Sequence, residues 1–339
     1  MALNTTPGDP AADSYPTLVE AKAYWDSIGR DYSGIADDEL EQALRGLAQA
    51  DEAVLRVGFG LASANAERCS DQRPDIGALL QDLAQYPASI RQEARAVLGL
   101  QGDLGFTAVA EGSPADLAGI TPGMALLAIN GTKVAPSGDG RDASYARLLA
   151  VEAALAEALA DGKTELTLRG AEGNELRVTV EPRPACAVRF RVQPDGEEEA
   201  RADDRTIEVA TGLIAEMRND GELAAILGHE LAHVVLHHFV KQRAAEADGR
   251  SSRKLVAEQE AEADRLSVWL MRDAGSDPQH AVELWTHFAA LQHSFLAFNP
   301  RGSRKDRRER IAEEIAIIRR NERLPHGKSQ PALMRNHPN

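Results

Sequence analysis

The sequence predicts an α+β protein that is mainly helical, with a small sheet and one separate mixed module. Apolar residues recur at spacings of three and four along 17–100 and again after residue 220, as they do on one face of a helix. Between Phe106 and Pro182 the period changes, and apolar and polar residues alternate around glycine-containing turns, as in strands. With 339 residues, of which 43% are hydrophobic, the chain is long enough for two or three domains.

The charge balance excludes some partners. Acidic residues outnumber basic ones 53 to 38. A net negative field repels phosphate backbones, so nucleic acid is not an expected partner. No apolar run approaches the roughly 18 residues that a membrane-spanning helix needs, so we expect no transmembrane segment in this chain.

Both ends are expected to be poorly ordered. Residues 1–16 form a predicted disordered tail with neither a basic nor an apolar segment of an export signal, a pattern that removal of a signal would also leave. Residues 328–339 are polar and contain proline, so they are a predicted flexible tail.

Residues 17–100 are predicted to be a helical segment. Its apolar residues at helical spacing include Leu40, Leu44, Leu47, Val54, Val57 and Leu61. The helix that bears the last three of these is interpreted as the first helix of the domain that follows residue 182.

Residues 101–182 are predicted to be a small module. Strands are expected at 106–110 and 124–129, a helix at 144–160 with Gly162 after its end, and a hairpin at 164–168 and 176–180. The run Gly112-Ser113-Pro114-Ala115-Asp116-Leu117-Ala118-Gly119-Ile120-Thr121-Pro122-Gly123-Met124, followed by Ile129-Asn130-Gly131, resembles the bacterial PDZ domain. The carboxylate-binding loop that this resemblance implies has two candidate positions, 98–100 and 104–106.

Residues 183–327 are predicted to carry the chemistry. Strands are expected at 188–192 and 206–211, and helices at 220–240, 252–273 and 279–297. The first of these helices, which starts after the capping residues Asn219-Asp220-Gly221, contains His229-Glu230-Leu231-Ala232-His233, an HExxH sequence.

The HExxH spacing suits a catalytic zinc site. Residues four apart lie on one helix face, so His229 and His233 can bind one cation. Glu230 projects beside them and can take a proton from a metal-bound water as that water attacks a carbonyl. The alternative is an amphipathic helix that happens to carry two histidines.

The next helix offers the third ligand. Glu260 shares a face with Val256, Ala263, Asp264, Ser267 and Met271, a side suited to packing against the HExxH helix. Glu258 and Glu262 share a face with Lys254 and Arg265 and are expected to be solvated ion pairs. We therefore expect Glu260 to bind the metal, while Asp264 orients a histidine.

With these motifs the sequence resembles the M48 family of metallopeptidases. The resemblance rests on HExxH, on its lead-in at 221–228, and on Glu260-Ala261-Glu262-Ala263-Asp264, where the family has Glu-x-x-Ala-Asp. It implies a zincin-type domain at 183–327, one Zn²⁺ per chain held by His229, His233 and Glu260, and a sheet edge at 206–211 along which an extended peptide pairs.

The sequence departs from the family near its end. A His-Pro pair usually precedes an Arg-Ile there, whereas this chain has Asn299-Pro300 and Arg310-Ile311. Arg310 is either an oxyanion donor or structural. His287 and His293 are candidate substitutes or exposed helix histidines. His237 and His238 suggest either a second metal or, as we favour, the polar end of a helix.

Two cysteines bracket the PDZ-like module. If 101–182 is an insertion, Cys69 and Cys186 lie where the chain leaves and re-enters one body, so we favour a disulfide over two buried thiols. A disulfide implies an oxidising compartment such as a bacterial periplasm; the alternative is a cytoplasmic protein.

These observations predict a zinc-dependent endopeptidase that acts on proteins or peptides, with a role in protein quality control of the cell envelope. The alternative is a metal-retaining, inactive binding or chaperone-like protein that works through its PDZ-like domain. Neither the natural substrate nor the oligomeric state follows from the sequence.

Overall fold

The computed structural model describes residues 37–138, 140, 143–194, 199–250, 252–291 and 304–322. It contains both helix and sheet, in agreement with the predicted α+β class. The described chain divides into two compact units, one formed by 37–55 with 74–183 and the other by 56–73 with the residues from 184 onward. The predicted tails at 1–16 and 328–339 lie outside the described residues.

The bounds of the regular elements are as follows. The helices are α1 (Asp37–Ala64), α2 (Arg91–Leu98), α3 (Pro114–Leu117), α4 (Ala146–Ala160), α5 (Thr211–Glu216), α6 (Asp220–Val235), α7 (His238–Ala247), α8 (Arg253–Asp273), α9 (Gln279–Leu291) and α10 (Arg304–Glu322). The strands are β1 (Gln72–Asp75), β2 (Ala78–Asp82), β3 (Leu104–Val109), β4 (Ala125–Ile129), β5 (Thr132–Lys133), β6 (Thr164–Arg169), β7 (Glu175–Val180), β8 (Arg183–Cys186), β9 (Arg189–Gln193), β10 (Ala200–Ala202) and β11 (Thr206–Ala210).

The first unit is built on an antiparallel sheet. Its strands lie in the order β2-β3-β4-β6-β7, and β5 adds to β4. The β4–β5 turn has Asn130 and Gly131 at its centre, both at positive φ (48° and 77°), which is the conformation that a two-residue hairpin turn requires. Helix α4 packs on this sheet and buries its apolar face there, including Leu148, Val151 and Leu155.

One part of the sequence-based prediction is wrong in this unit. Residues 17–100 were expected to be helical, but β1 and β2 interrupt that segment, and the part of the first unit that carries the sheet begins at Pro74 instead of residue 101. Strand β2 forms because it pairs with β3, where Leu80 lies opposite Phe106, so a distant partner decides its conformation. Pro74 and Gly77, the latter at φ 67°, were the local signals of the change.

The second unit is mainly helical, with one small sheet. Helix α6 packs most extensively against α8 and also contacts α9 and β10, and α8 in turn contacts α10. Its largest fully buried side chains include Leu213, Leu227, Leu231, Leu266, Trp269 and Leu270. Gly221 is needed at the start of α6, because a Cβ there would collide with the His280 ring on α9.

The sheet of this unit corrects a second expectation. Its order is β10-β11-β9, with β11 antiparallel to β10 and parallel to β9. Residues 206–211 were expected to offer a free sheet edge, but Ile207 and Val209 in this stretch pair with strands on both sides. The backbone groups of β11 are thus used within the sheet, and β10 is the edge that lies beside α6.

The helix predicted at 220–240 is also interrupted. Helix α6 ends at Val235, and α7 begins at His238, because His237 between them adopts a left-handed conformation with φ 54°. Among the described helices none is by itself long and apolar enough to cross a membrane; only α6 and α7 taken together, bent by 51°, reach that length and composition.

A disulfide lies within the second unit. It joins Cys69 and Cys186, whose Cα atoms are 5.4 Å apart although 117 positions separate them in sequence. Both cysteines are buried. The bond therefore ties the residues that precede the first unit's sheet to those that follow it.

Candidate metal centre

The two histidines of the HExxH sequence meet on one face of α6. Asn219 caps the helix by accepting a hydrogen bond from the Glu222 backbone N–H at 3.0 Å, and the first turn carries two acidic residues, which the helix dipole favours. One turn apart, His229 and His233 bring their Nε2 atoms to 3.1 Å from each other.

Helix α8 supplies the third donor. The Glu260 carboxylate lies 3.5 Å from His229 Nε2 and 3.8 Å from His233 Nε2. One ligand atom from each of these three residues lies within 4.8 Å of the other two. Two imidazoles and one carboxylate in this compact arrangement match the donor set of a catalytic zinc site, which leaves a fourth position open.

Asp264 lies behind this cluster, one turn further along α8. Its Oδ1 is 3.3 Å from His229 Nδ1, the ring nitrogen on the side away from Glu260. This is the contact by which a carboxylate fixes the tautomer of a metal-binding histidine. The structure thus places Asp264 beside His229, as the sequence predicted for a residue that orients a histidine.

Arg307 on α10 completes the buried charge network, and sequence reasoning missed it. Its Nε donates to both Asp264 oxygens at 3.0 Å, and its guanidinium stacks 4.0 Å from the centre of the Trp285 ring. The Arg307 Nη2 also lies 3.3 Å from His229 Nδ1. Arg307 precedes Arg310 by one helical turn, so the spacing places the two side chains on one helix face, but it does not show that this face is buried.

The sequence-predicted Arg310 also reaches Asp264. Its Nη2 donates to Asp264 Oδ2 at 3.0 Å, so part of its guanidinium is bound by the carboxylate behind His229. His287, a candidate substitute, lies 3.5 Å from Glu222 Oε2 and is not among the residues of the metal cluster. His293 and Asn299-Pro300 lie outside the described residues.

Glu230 is half-buried next to the cluster. The pKa of its carboxyl is raised to about 7, mainly by burial and also by the nearby Glu260 charge, which together outweigh the lowering effects of His229 and Arg307. Burial also raises the pKa of Glu260, but its hydrogen bond with His229 and the surrounding cationic groups outweigh this and lower that pKa to about 2. Glu260 is therefore held as the carboxylate, the form that binds metals.

His237 and His238 do not form the polar helix end that we favoured. His238 is fully buried, and its Nδ1 lies 2.9 Å from Nδ1 of His233. His237 instead contacts the Ser70 hydroxyl, with its Nε2 3.0 Å from Oγ. Burial lowers the pKa of His238 to about 3, with a further contribution from Lys241, so its ring is neutral.

The two other glutamates of α8 differ from each other. Glu258 forms an exposed pair with Lys254 at 3.7 Å, as expected. Glu262 was expected to be similar, but its Oε2 lies 3.1 Å from His238 Nε2 and its side chain is only 32% exposed. The difference arises because the break at His237 brings α7 alongside this turn of α8.

The site and the fold together define a protein of mixed helix and sheet with a cluster of two histidines and a glutamate that fits a metal ion. Residues 197–248 match the model of Peptidase family M48. The match spans β10 to α7 and includes His229, Glu230 and His233, but it ends before Glu260 on α8. It supports a metallopeptidase of that family, and so a hydrolase. No curated protein matches the chain.

Proposed function

We propose that this protein is a zinc-dependent endopeptidase. The observation that carries the proposal is the convergence of His229, His233 and Glu260, whose ligand atoms lie within 4.8 Å of one another beside Glu230. Two imidazole nitrogens together with one carboxylate favour zinc over the hard cations that prefer all-oxygen sites. When bound, the ion would supply Lewis acidity, polarising a peptide carbonyl and acidifying water.

Glu230 is the general base of the proposed reaction. Its carboxylate takes a proton from the attacking water as the water oxygen bonds to the carbonyl carbon. The same carboxyl group then gives that proton to the amide nitrogen as the C–N bond breaks. The neighbouring positive charge of Arg307, held over Trp285, keeps Glu260 and Asp264 ionised while Glu230 changes protonation state.

Strand β10 is the element on which we expect an extended substrate to lie. It is an outer strand of its sheet and packs beside α6, so an extended substrate would pair with its outward backbone groups near the site. Backbone pairing accepts many sequences, and it allows cleavage within a chain as well as near its ends. This supports endopeptidase activity on unfolded proteins.

Residues 74–183 are proposed to be a PDZ-like module inserted into a zincin-type peptidase domain. The support is that 56–73 and the residues from 184 onward fall in one unit, with the sheet of the other unit between them in sequence. The disulfide between Cys69 and Cys186 supports an oxidising location, so we further propose an exported, periplasmic protein that acts in quality control of the cell envelope.

The test is cleavage of an unfolded, alkylated protein, followed by mass spectrometry of the fragments. We expect internal cleavage with zinc, its loss with a chelator, and its return when zinc is added back. Glu230→Gln should retain zinc and lose cleavage by at least about 100-fold, because it removes the base and leaves the three ligands. Glu246→Gln, an exposed glutamate on α7, is the matched control and should cleave like the wild type.

Two results would contradict the proposal. Wild-type cleavage by Glu230→Gln would reject the proposed base. A wild-type protein that binds zinc, retains its fold and cleaves no unfolded protein would favour the inactive binding protein instead.

A further inference from the structure

The second histidine of the HExxH sequence has both ring nitrogens in polar contacts. Nε2 of His233 faces the cluster, 3.1 Å from His229 Nε2 and 3.8 Å from Glu260 Oε1. Nδ1 lies on the other side of the ring, 2.9 Å from Nδ1 of His238. The contacts continue outward, because His238 Nε2 lies 3.1 Å from Glu262 Oε2.

These contacts allow one consistent set of proton positions when Nε2 of His233 binds a metal. Nδ1 of His233 must then carry the proton and donate it to His238 Nδ1. His238 in turn carries its proton on Nε2, where the Glu262 carboxylate accepts it. Each hydrogen bond fixes the tautomer of the next ring, so the orientation of His233 depends on a carboxylate two residues away from Glu260.

The arrangement depends on the break between α6 and α7. On a continuous helix, residues five positions apart point about 140° away from each other, so His238 would not lie beside His233. The left-handed conformation of His237 redirects the chain and returns the next side chain to the same side. Gln259 then holds the new segment by donating to the His238 backbone carbonyl at 3.3 Å, and Gln242 donates to Gln259 at 2.6 Å.

We propose that His238, held by Glu262, is a positioning residue that fixes the tautomer and orientation of His233 for metal binding. This inference rests on the proposed zinc site. His233 is thus connected to the Glu262 carboxylate through the His238 ring. His229, in contrast, contacts the Asp264 carboxylate directly. The two histidines are oriented from opposite ends of the cluster by two residues of the same helix, Glu262 and Asp264.

The test measures zinc affinity by competition with a chromophoric chelator, in four variants of the full chain. His238→Phe keeps an aromatic ring but offers no acceptor, and we expect zinc to bind about 10–100-fold more weakly. In His238→Asn, Oδ1 takes the place of Nδ1, so affinity should stay within about threefold of the wild type. Glu262→Ala should weaken binding about tenfold, and the exposed Glu258→Ala should leave it unchanged.

A spectroscopic measurement separates positioning from general destabilisation. With Co²⁺ in place of zinc, His238→Phe and Glu262→Ala should alter the visible absorption of the bound ion, whereas Glu258→Ala should not. The thermal unfolding of each variant without metal serves as the control for folding. If His238→Phe does not fold, Glu262→Ala decides, since its side chain is partly exposed and forms no part of the core.

Three outcomes are distinguishable. A wild-type protein that binds no zinc would overturn the proposed function itself. Tight wild-type binding, together with unchanged affinity and spectrum in folded His238→Phe and Glu262→Ala, would overturn only the positioning role. Equal weakening in His238→Asn and His238→Phe would also overturn it, because the acceptor would then make no difference.

Discussion

Arg307 and Asp264 form a buried ion pair directly behind a proposed zinc ligand. Nε of Arg307 lies 3.0 Å from each oxygen of Asp264, and the two side chains are only 7% and 1% exposed. Asp264 also contacts His229 Nδ1 at 3.3 Å. Through this pair, α10 is connected to the histidine of α6 by way of α8.

The first prediction concerns the stability that this ion pair maintains. Arg307→Ala should lower the free energy of unfolding by about 3 kcal/mol, because it leaves the Asp264 charge buried. This loss is at the low end of what removing one partner of a buried ion pair costs, because Arg310 still donates to Asp264. Urea unfolding in the presence of a chelator measures it.

The neighbouring Arg308 offers a matched control. It occupies the same helix but is exposed, so Arg308→Ala should change stability by less than about 0.5 kcal/mol. Equal losses in the two variants would show that the buried pair is not a special source of stability.

The second prediction concerns the disulfide. Under denaturing conditions without reductant, neither Cys69 nor Cys186 should react with an alkylating agent. Reduction should lower the free energy of unfolding by about 4–5 kcal/mol on the chain-entropy model, because the bond closes a loop of 117 residues. The oxidised and reduced forms have the same sequence, so each serves as the control for the other.

Full alkylation of both cysteines in the unreduced protein would contradict this prediction. It would also remove the main support for an exported location.

The third prediction concerns pH and the first unit. Tyr86 is buried, and its hydroxyl donates to Gln81 at 2.9 Å. Burial raises the pKa of Tyr86 above its ordinary value, and the charge of Asp51 adds to this. The folded state therefore holds the proton more tightly than the unfolded chain does.

The sign of the effect follows from that difference. The contribution of Tyr86 to stability is complete below about pH 10, the ordinary tyrosine pKa, and is lost as the pH rises above it, by at most about 1.4 kcal/mol per pH unit. Tyr86→Phe should be less stable at neutral pH but should lose stability less steeply above pH 10. Urea midpoints across this range measure the slope, and equal slopes in the two proteins would contradict the prediction.

Elements with local sequence signals were predicted well, and elements that depend on distant partners were not. The hairpin of β6 and β7 and the turn at Asn130-Gly131 were predicted closely, because alternation and turn residues are local signals. Strand β2 was missed because its partner β3 lies more than twenty residues away, across α2. The central position of β11 was missed for the same reason, since strand order depends on contacts between distant residues.

In the site, too, features set by local sequence were predicted and features set by distant contacts were missed. Helical periodicity placed His229 and His233 on one face and Glu260 on the packing side of its own helix, the M48-like motif pointed to Glu260 as the third ligand, and the structure brings the three together. Helical periodicity did not predict that His238 lies beside His233, because the helix break at His237 depends on a backbone conformation that is unusual for histidine. Arg307 was missed because its burial depends on Trp285 and Asp264, which lie on other helices.

The most direct test of the proposed metal site compares the zinc content of purified Glu260→Ala with that of purified Glu258→Ala. Both residues are glutamates of α8, but only Glu260 lies among the candidate ligand atoms, while Glu258 forms an exposed pair with Lys254. We expect one zinc per chain in the wild type and in Glu258→Ala, and little zinc in a folded Glu260→Ala. Full zinc content in Glu260→Ala would contradict the proposed site, because the third ligand would then lie elsewhere.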